Sequence, residues 1–197
     1  MGNLMKHLTI LILIFLSTSA FSQNLIDDYY EFGGAITEGR EAAALAYAEK
    51  ILPEVSTLSG KRQAIFYYKL AGLHETRKNA DKAIAYYEKT AKLAPDYYVP
   101  HMALGYLYVG KANLLVGQIN AEKSNVPLRE KYIREYQAYF RKAIPHFEKA
   151  MACDPNDQVL ASIKNAYVVI KDPATFNTLD SRLGVLEKGC VSLLMED

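Results

Sequence analysis

One seven-residue pattern occurs three times in this chain and restricts its fold more than any other feature. Ala44-Leu45-Ala46-Tyr47-Ala48-Glu49-Lys50, Ala83-Ile84-Ala85-Tyr86-Tyr87-Glu88-Lys89 and Ala143-Ile144-Pro145-His146-Phe147-Glu148-Lys149 each read Ala, aliphatic, any, ring, any, Glu, Lys. A proline follows each copy, at Pro53, Pro95 and Pro155, and in the last two it stands 12 residues after the Ala. Proline cannot continue a helix, so each copy reads as a helix with a marked end. Upstream of each copy lies a second run with rings and small residues at offsets of three, four and seven. These are Tyr29, Phe32, Gly33 and Ile36; Tyr67, Leu70, Ala71 and His74; and His101, Leu104, Gly105 and Tyr108. That spacing places each set on one helix face. Short turns at Thr37 to Arg40 and Lys78 to Asp81 make the two helices of a unit antiparallel neighbours.

The arrangement resembles the tetratricopeptide repeat, a 34-residue helix pair with the pattern ring-x2-Leu-Gly-x2-Tyr, then Ala, a ring, Ala and Pro. Residues 64–97 fit that length without a gap, with His74 where the family has Tyr and Thr90 where it has Ala. Residues 98–110 with 143–157 form a second match, residues 25–53 a looser one, and residues 158–197 a degenerate closing pair. The resemblance implies an all-α superhelix of about three and a half helix pairs, at about 25–58, 61–97, 98–157 and 158–197, in a single domain over 23–197. Between Gly110 and Ala143 the chain departs from the pattern, with 32 residues where about seven are expected. Lys111 to Glu122 reads as a continuation of the third pair's first helix, and Leu128 to Lys142 as a run into its second. Ser124-Asn125-Val126-Pro127 supplies the turn. The third repeat is thus enlarged by a helical hairpin over 111–142, which carries seven bases against three acids, an excess of +4.

The first 22 residues read as a secretory signal. Lys6 precedes the apolar stretch Leu8 to Leu16, and small residues follow, with a cut expected before Gln23 or after Ala20. The chain is expected in the periplasm or at the outer surface, and not as a lipoprotein, because no Cys lies near the cleavage region. Cys153 and Cys190 then have two readings: a disulfide made in an oxidising compartment, or two buried thiols acting as small hydrophobes.

Composition removes further function classes. The net charge of +1 gives no global field for nucleic acid or an anionic membrane. No catalytic constellation is visible and no enzyme is expected. His74-Glu75 begins like a zinc-protease motif, but Lys78 stands where the second His is needed. His101 and His146 fall at packing positions, and no metal or small-molecule cofactor is expected. The Glu-Lys pairs at 49/50, 88/89 and 148/149 read as a solvated face.

The 15 tyrosines carry the remaining information. Tyr67, Tyr87 and Tyr108 occupy ring-burying positions. In the family the first helix of each pair lines an inner groove, which here implies Asp27, Tyr30, Gly34, Ile65, Tyr68, Glu75, Met102, Tyr106 and Val109. Tyrosine offers apolar area with a polar tip at small rotamer cost, which suits a peptide groove. Along the hairpin, Tyr132, Tyr136 and Tyr139 recur at helical spacing, either packing within it or meeting a partner helix. The expected function is a protein–protein interaction scaffold of the envelope, within a membrane-associated complex or apart from one. The alternatives are a structural subunit that self-associates through 111–142 and, further off, an enzyme on a helical scaffold.

Overall fold

The computed structural model describes residues 24–192 and Leu194; the leader at 1–22 lies outside them. The described residues are all-α, and the chain divides into two compact units between Ser59 and Gly60.

The first unit contains α1 (residues 24–37) and α2 (Glu41–Ile51), followed by a 3-10 turn at Val55–Thr57. Leu25, Tyr29, Phe32 and Ala35 recur at three and four along α1 and are buried; so are Ala44, Ala48 and Ile51 of α2. Gly39 reverses the chain at φ +70, where a side chain would be strained, and Arg40 N donates to Ala35 O at 2.8 Å.

The second unit is a solenoid-like succession in which each major helix packs on its neighbours in sequence. α3 (Gly60–Thr76) packs on α4 (Ala80–Leu93), α4 on α5 (Tyr98–Asn113), α5 on α7 (Val126–Cys153) and α7 on α8 (Asp157–Val169). The short helices α6 (Val116–Ala121), α9 (Pro173–Phe176) and α10 (Leu179–Leu186) are added to this row, α6 and α10 against α7 and α9 against α8. The helix starts follow from capping chemistry: Asn79, Asn125, Asn156 and Asp172 each accept a backbone N–H three residues on, satisfying a donor the helix cannot. The helix ends follow from proline. α2, α4 and α7 stop at Ile51, Leu93 and Cys153, two residues before Pro53, Pro95 and Pro155; Ala94 and Asp154 leave the helical region, as a following proline demands, whereas Leu52 keeps helical angles before Pro53. Pro145 is the exception inside α7, where it removes one helical donor.

The repeated ring-and-small face is the core of this unit. Tyr67, Leu70, Ala71 and His74 of α3 are buried, as are Leu104, Gly105 and Tyr108 of α5. A Cβ on Gly105 would sit 2.5 Å from the Phe147 ring, so α5 and α7 approach there as only glycine allows. The expected continuation of α5 to Glu122 does not occur. After Asn113 the bonding tightens, with Leu115 N donating to Ala112 O at 2.9 Å, and a two-residue turn at Leu114 and Leu115 separates α5 from α6. Leu115 is buried at this turn while Leu114 stays 73% exposed, so two adjacent leucines are sorted between core and solvent. The second arm, by contrast, runs unbroken through α7.

Past α10 the chain folds back. Cys153 and Cys190 form a disulfide, with Cα atoms 5.5 Å apart. Val191 N donates to Asp96 O at 2.8 Å and Tyr98 N to Val191 O at 3.2 Å. Of the two thiol readings, the disulfide is the one realised.

Candidate functional site

The tyrosines of α3, α4 and α5 order one another. The Tyr68 ring lies 6.0 Å from Tyr87 and meets Tyr97 edge-on at 5.1 Å. Tyr87 is 5% exposed and donates its hydroxyl to Glu75 at 2.9 Å, which fixes the carboxylate at the end of α3. Burial, then the charge of Glu75, pushes the Tyr87 phenol far above its ordinary range, so it stays a donor. On α5, Tyr106 is 37% exposed and stands edge-on to Phe147 at 5.0 Å. Met102 and Val109 are half-buried against the core.

Of the residues assigned to the groove, Tyr68, Glu75, Met102, Tyr106 and Val109 all belong to α3 and α5 of the second unit and keep some surface in solvent. Ile65 is 7% exposed and has little surface left for a partner. Tyr30 belongs to the first unit, where it is 52% exposed and meets Tyr29 edge-on. Tyr132, Tyr136 and Tyr139 are half-buried on α7. Tyr136 packs on Phe140 at 5.0 Å, and Tyr139 lies 6.4 Å from Tyr108. In the first unit, Asn24, Leu25, Asp28, Lys50 and Glu54 line a cleft of about 300 Å³, crossed by a 3.4 Å pair between Lys50 and Asp28.

Two clusters were not foreseen. The first is a three-ring stack that occurs twice with its residue types exchanged. Tyr86 stacks on Tyr67 and His74 at 5.9 and 5.5 Å. In the corresponding places His146 faces His101 and stacks on Tyr108, at 5.1 and 5.9 Å. The histidine Nδ1 atoms are 3.0 Å apart, so one ring donates and the other accepts. Burial pushes both down to about 4, and for His101 the neighbouring His146 and Lys149 add to it. Both rings are neutral at pH 7. The sequence signal for this pair was available, since both histidines occupy ring positions of the repeat.

The second cluster overturns a sequence expectation. Glu148 and Lys149, read as solvated, are 6% and 7% exposed. Arg182 of α10 holds Glu148 through two bonds, Nη2 to Oε1 at 2.7 Å and Nε to Oε2 at 3.1 Å, and Tyr167 of α8 donates to Oε1 at 2.7 Å. Lys149 donates to Leu186 O at 3.0 Å and pairs with Asp96 at 3.3 Å. These four partners come from the C-terminal helices or the α4–α5 turn, which no local pattern places there.

Among the described residues, no group of three or more His, Cys, Asp or Glu could hold a metal ion. Among the same residues, no helix is long and apolar enough to cross a membrane. No protein-family model, no curated protein and no solved structure matches the chain.

Proposed function

We propose that this chain is a non-enzymatic protein–protein interaction module of the cell envelope, built from tetratricopeptide-like helix pairs. It holds a peptide segment or partner helix against the ring-bearing face of α3 and α5. The observation that carries the reading is the strip of Tyr68, Glu75, Met102 and Tyr106. Its rings and carboxylate are fixed by Tyr87, Tyr97 and Phe147 yet remain in solvent contact. Rings already ordered by their neighbours lose little entropy on binding, and tyrosine is enriched where partners anchor.

Two features support the compartment: the leader-like residues 1–22, and a disulfide of the kind that persists in oxidising surroundings. The test uses the mature chain, crosslinked in its native envelope, with partners identified by mass spectrometry. Tyr68→Ala with Tyr106→Ala abolishes recovery of the partner while the helical circular-dichroism signal persists. Unchanged recovery would remove the α3–α5 face from consideration.

A further inference from the structure

The hairpin carries a second surface that the tyrosine strip does not use. Val116 and Ile119 of α6, Ile133, Tyr136 and Gln137 of α7, and Val169 at the end of α8 line an open, largely apolar notch of about 320 Å³. Gln137 spans its floor, donating from Nε2 to Val169 O at 3.0 Å, which fixes α8 against α7. The elements that form the notch carry exposed apolar residues: Val116 of α6 at 40%, Val126 of α7 at 57%, Val168 of α8 at 65%, and Leu114 just before α6 at 73%. α6 itself has no buried residue. α6 packs against α7, yet Val116 stays exposed and Ile119 only half-buried. Apolar patches of this kind on a folded protein mark docking sites.

Charge says what docks. Arg129 stands four residues before Ile133, and Arg141 four after Gln137, so the two bracket the notch along α7. Lys171 follows Val169 by two. All three are exposed, and among the described residues none has an acidic partner. The basic side chains of the hairpin that do pair are Arg134, with Glu130 at 3.7 Å, and Lys111, with Asp81 at 2.7 Å. A second copy offering the same face would set bases against bases, which disfavours a symmetric self-pair. The walls are helices, and the described residues offer no exposed sheet edge for strand addition. That leaves the helix-in-groove mode, in which apolar anchors at helical spacing enter the notch.

We propose that the α6–α7–α8 notch docks an acidic amphipathic helix of a partner protein. Its apolar stripe lies across Val116, Ile133 and Val169, and its carboxylates face Arg129, Arg141 and Lys171. The site is independent of the α3–α5 face.

The test titrates the mature chain into a fluorescein-labelled helical peptide of about 18 residues, with Leu at i, i+3, i+4 and i+7 and Glu between them. The control peptide has Lys in place of Glu. The Glu peptide binds saturably, weakens as salt rises, and binds at least about tenfold tighter than the Lys peptide. Arg129→Glu with Arg141→Glu weakens it about tenfold. Ile133→Asp abolishes binding, and Tyr68→Ala with Tyr106→Ala leaves it unchanged. The two arginines are exposed, so their reversal tests the site even if Ile133→Asp fails to fold. Absent binding, equal binding of the two peptides, or indifference to the arginine reversal overturns the proposal. A dimer by light scattering that Ile133→Asp dissolves would assign the notch to a second copy. Sedimentation with phosphatidylglycerol vesicles that the arginine reversal abolishes, with no preference for the Glu peptide, would assign it to a membrane surface. Either result also overturns it.

Discussion

The α4 and α7 copies of the repeated pattern share a framework and differ in what covers it. Ala83 and Ala143 are both fully buried, and the rings at Tyr87 and Phe147 are both in the core. The copies part at Glu-Lys. Glu88 and Lys89 are exposed: the carboxylate takes the Tyr108 hydroxyl, and the ammonium lies 4.7 Å over the Tyr67 ring and 5.4 Å over Tyr86. Glu148 and Lys149 are buried under the C-terminal helices, which supply a guanidinium, a phenol and a carbonyl. The same dipeptide is a surface feature in one helix and a buried polar junction in the other. The next segment of chain decides which.

Removing the covalent hold on that covering segment should give the largest effect. The Cys153–Cys190 bridge spans a sequence separation of 37. On the chain-entropy account, Cys153→Ser with Cys190→Ser costs about 4 kcal/mol. Guanidinium unfolding of the oxidised wild type against the double variant measures it. A loss under about 1 kcal/mol would mean that the bridge adds nothing to the hold already provided by Arg182 and Lys149.

Arg182→Met leaves Glu148 with only the Tyr167 hydroxyl. Breaking a buried pair costs about 3–5 kcal/mol, and because the Arg182 side chain is 29% exposed we expect about 2–3 kcal/mol. Unfolding at pH 7 reads this directly. A shift no larger than that of a surface pair would put Glu148 in the same category as Glu88.

These two regions also show how much was legible in the sequence. The helix faces were legible, because Tyr67, Leu70, Ala71 and His74 obey a period that burial enforces. So were the helix ends before Pro95 and Pro155, where the stop signal is local. The fate of Glu148 was not, because Arg182 lies 34 residues away and no local spacing announces it. The break at Leu114 and Leu115 escaped because no proline announces it in Lys111 to Glu122. The candidate groove was set out from the repeat register as a list of positions on α1, α3 and α5. What the list missed is that Ile65 is buried and that Tyr87 and Tyr97 orient Tyr68. The notch was least legible, since its walls come from three helices and only α7 showed a stripe.

The exchanged ring stacks sharpen the comparison through pH. With folded pKa values near 4 against an ordinary 6.5, His101 and His146 bind fewer protons folded than unfolded across that interval. Stability therefore rises with pH through it, is complete above about 6.5, and is lost as the pH falls towards 4. The groups facing the pair include Tyr108 and Lys149, and the ammonium of Lys149 adds to the cost of protonation. Between pH 7 and pH 5 we expect the wild type to lose about 3–4 kcal/mol more than His101→Gln with His146→Gln. Parallel slopes for the two proteins would show that the pair does not govern the acid limb.

The smallest effect should come from the exposed copy. Glu88→Gln keeps an acceptor for the Tyr108 hydroxyl and removes only the charge. Burial and then the bond to Glu88 raise the Tyr108 phenol, so it remains a donor in the variant. Water reaches Glu88 and screens it, so the loss should stay below about 1 kcal/mol and shrink further in high salt. The matched change Glu148→Gln, in a site that water barely reaches, strips charge from a two-bond guanidinium contact and should cost several times more. If denaturation midpoints moved equally for the two variants, cover by the C-terminal helices could not be what separates the copies. The difference would then have to lie within α4 and α7 themselves, where Pro145 replaces Ala85 and His146 replaces Tyr86.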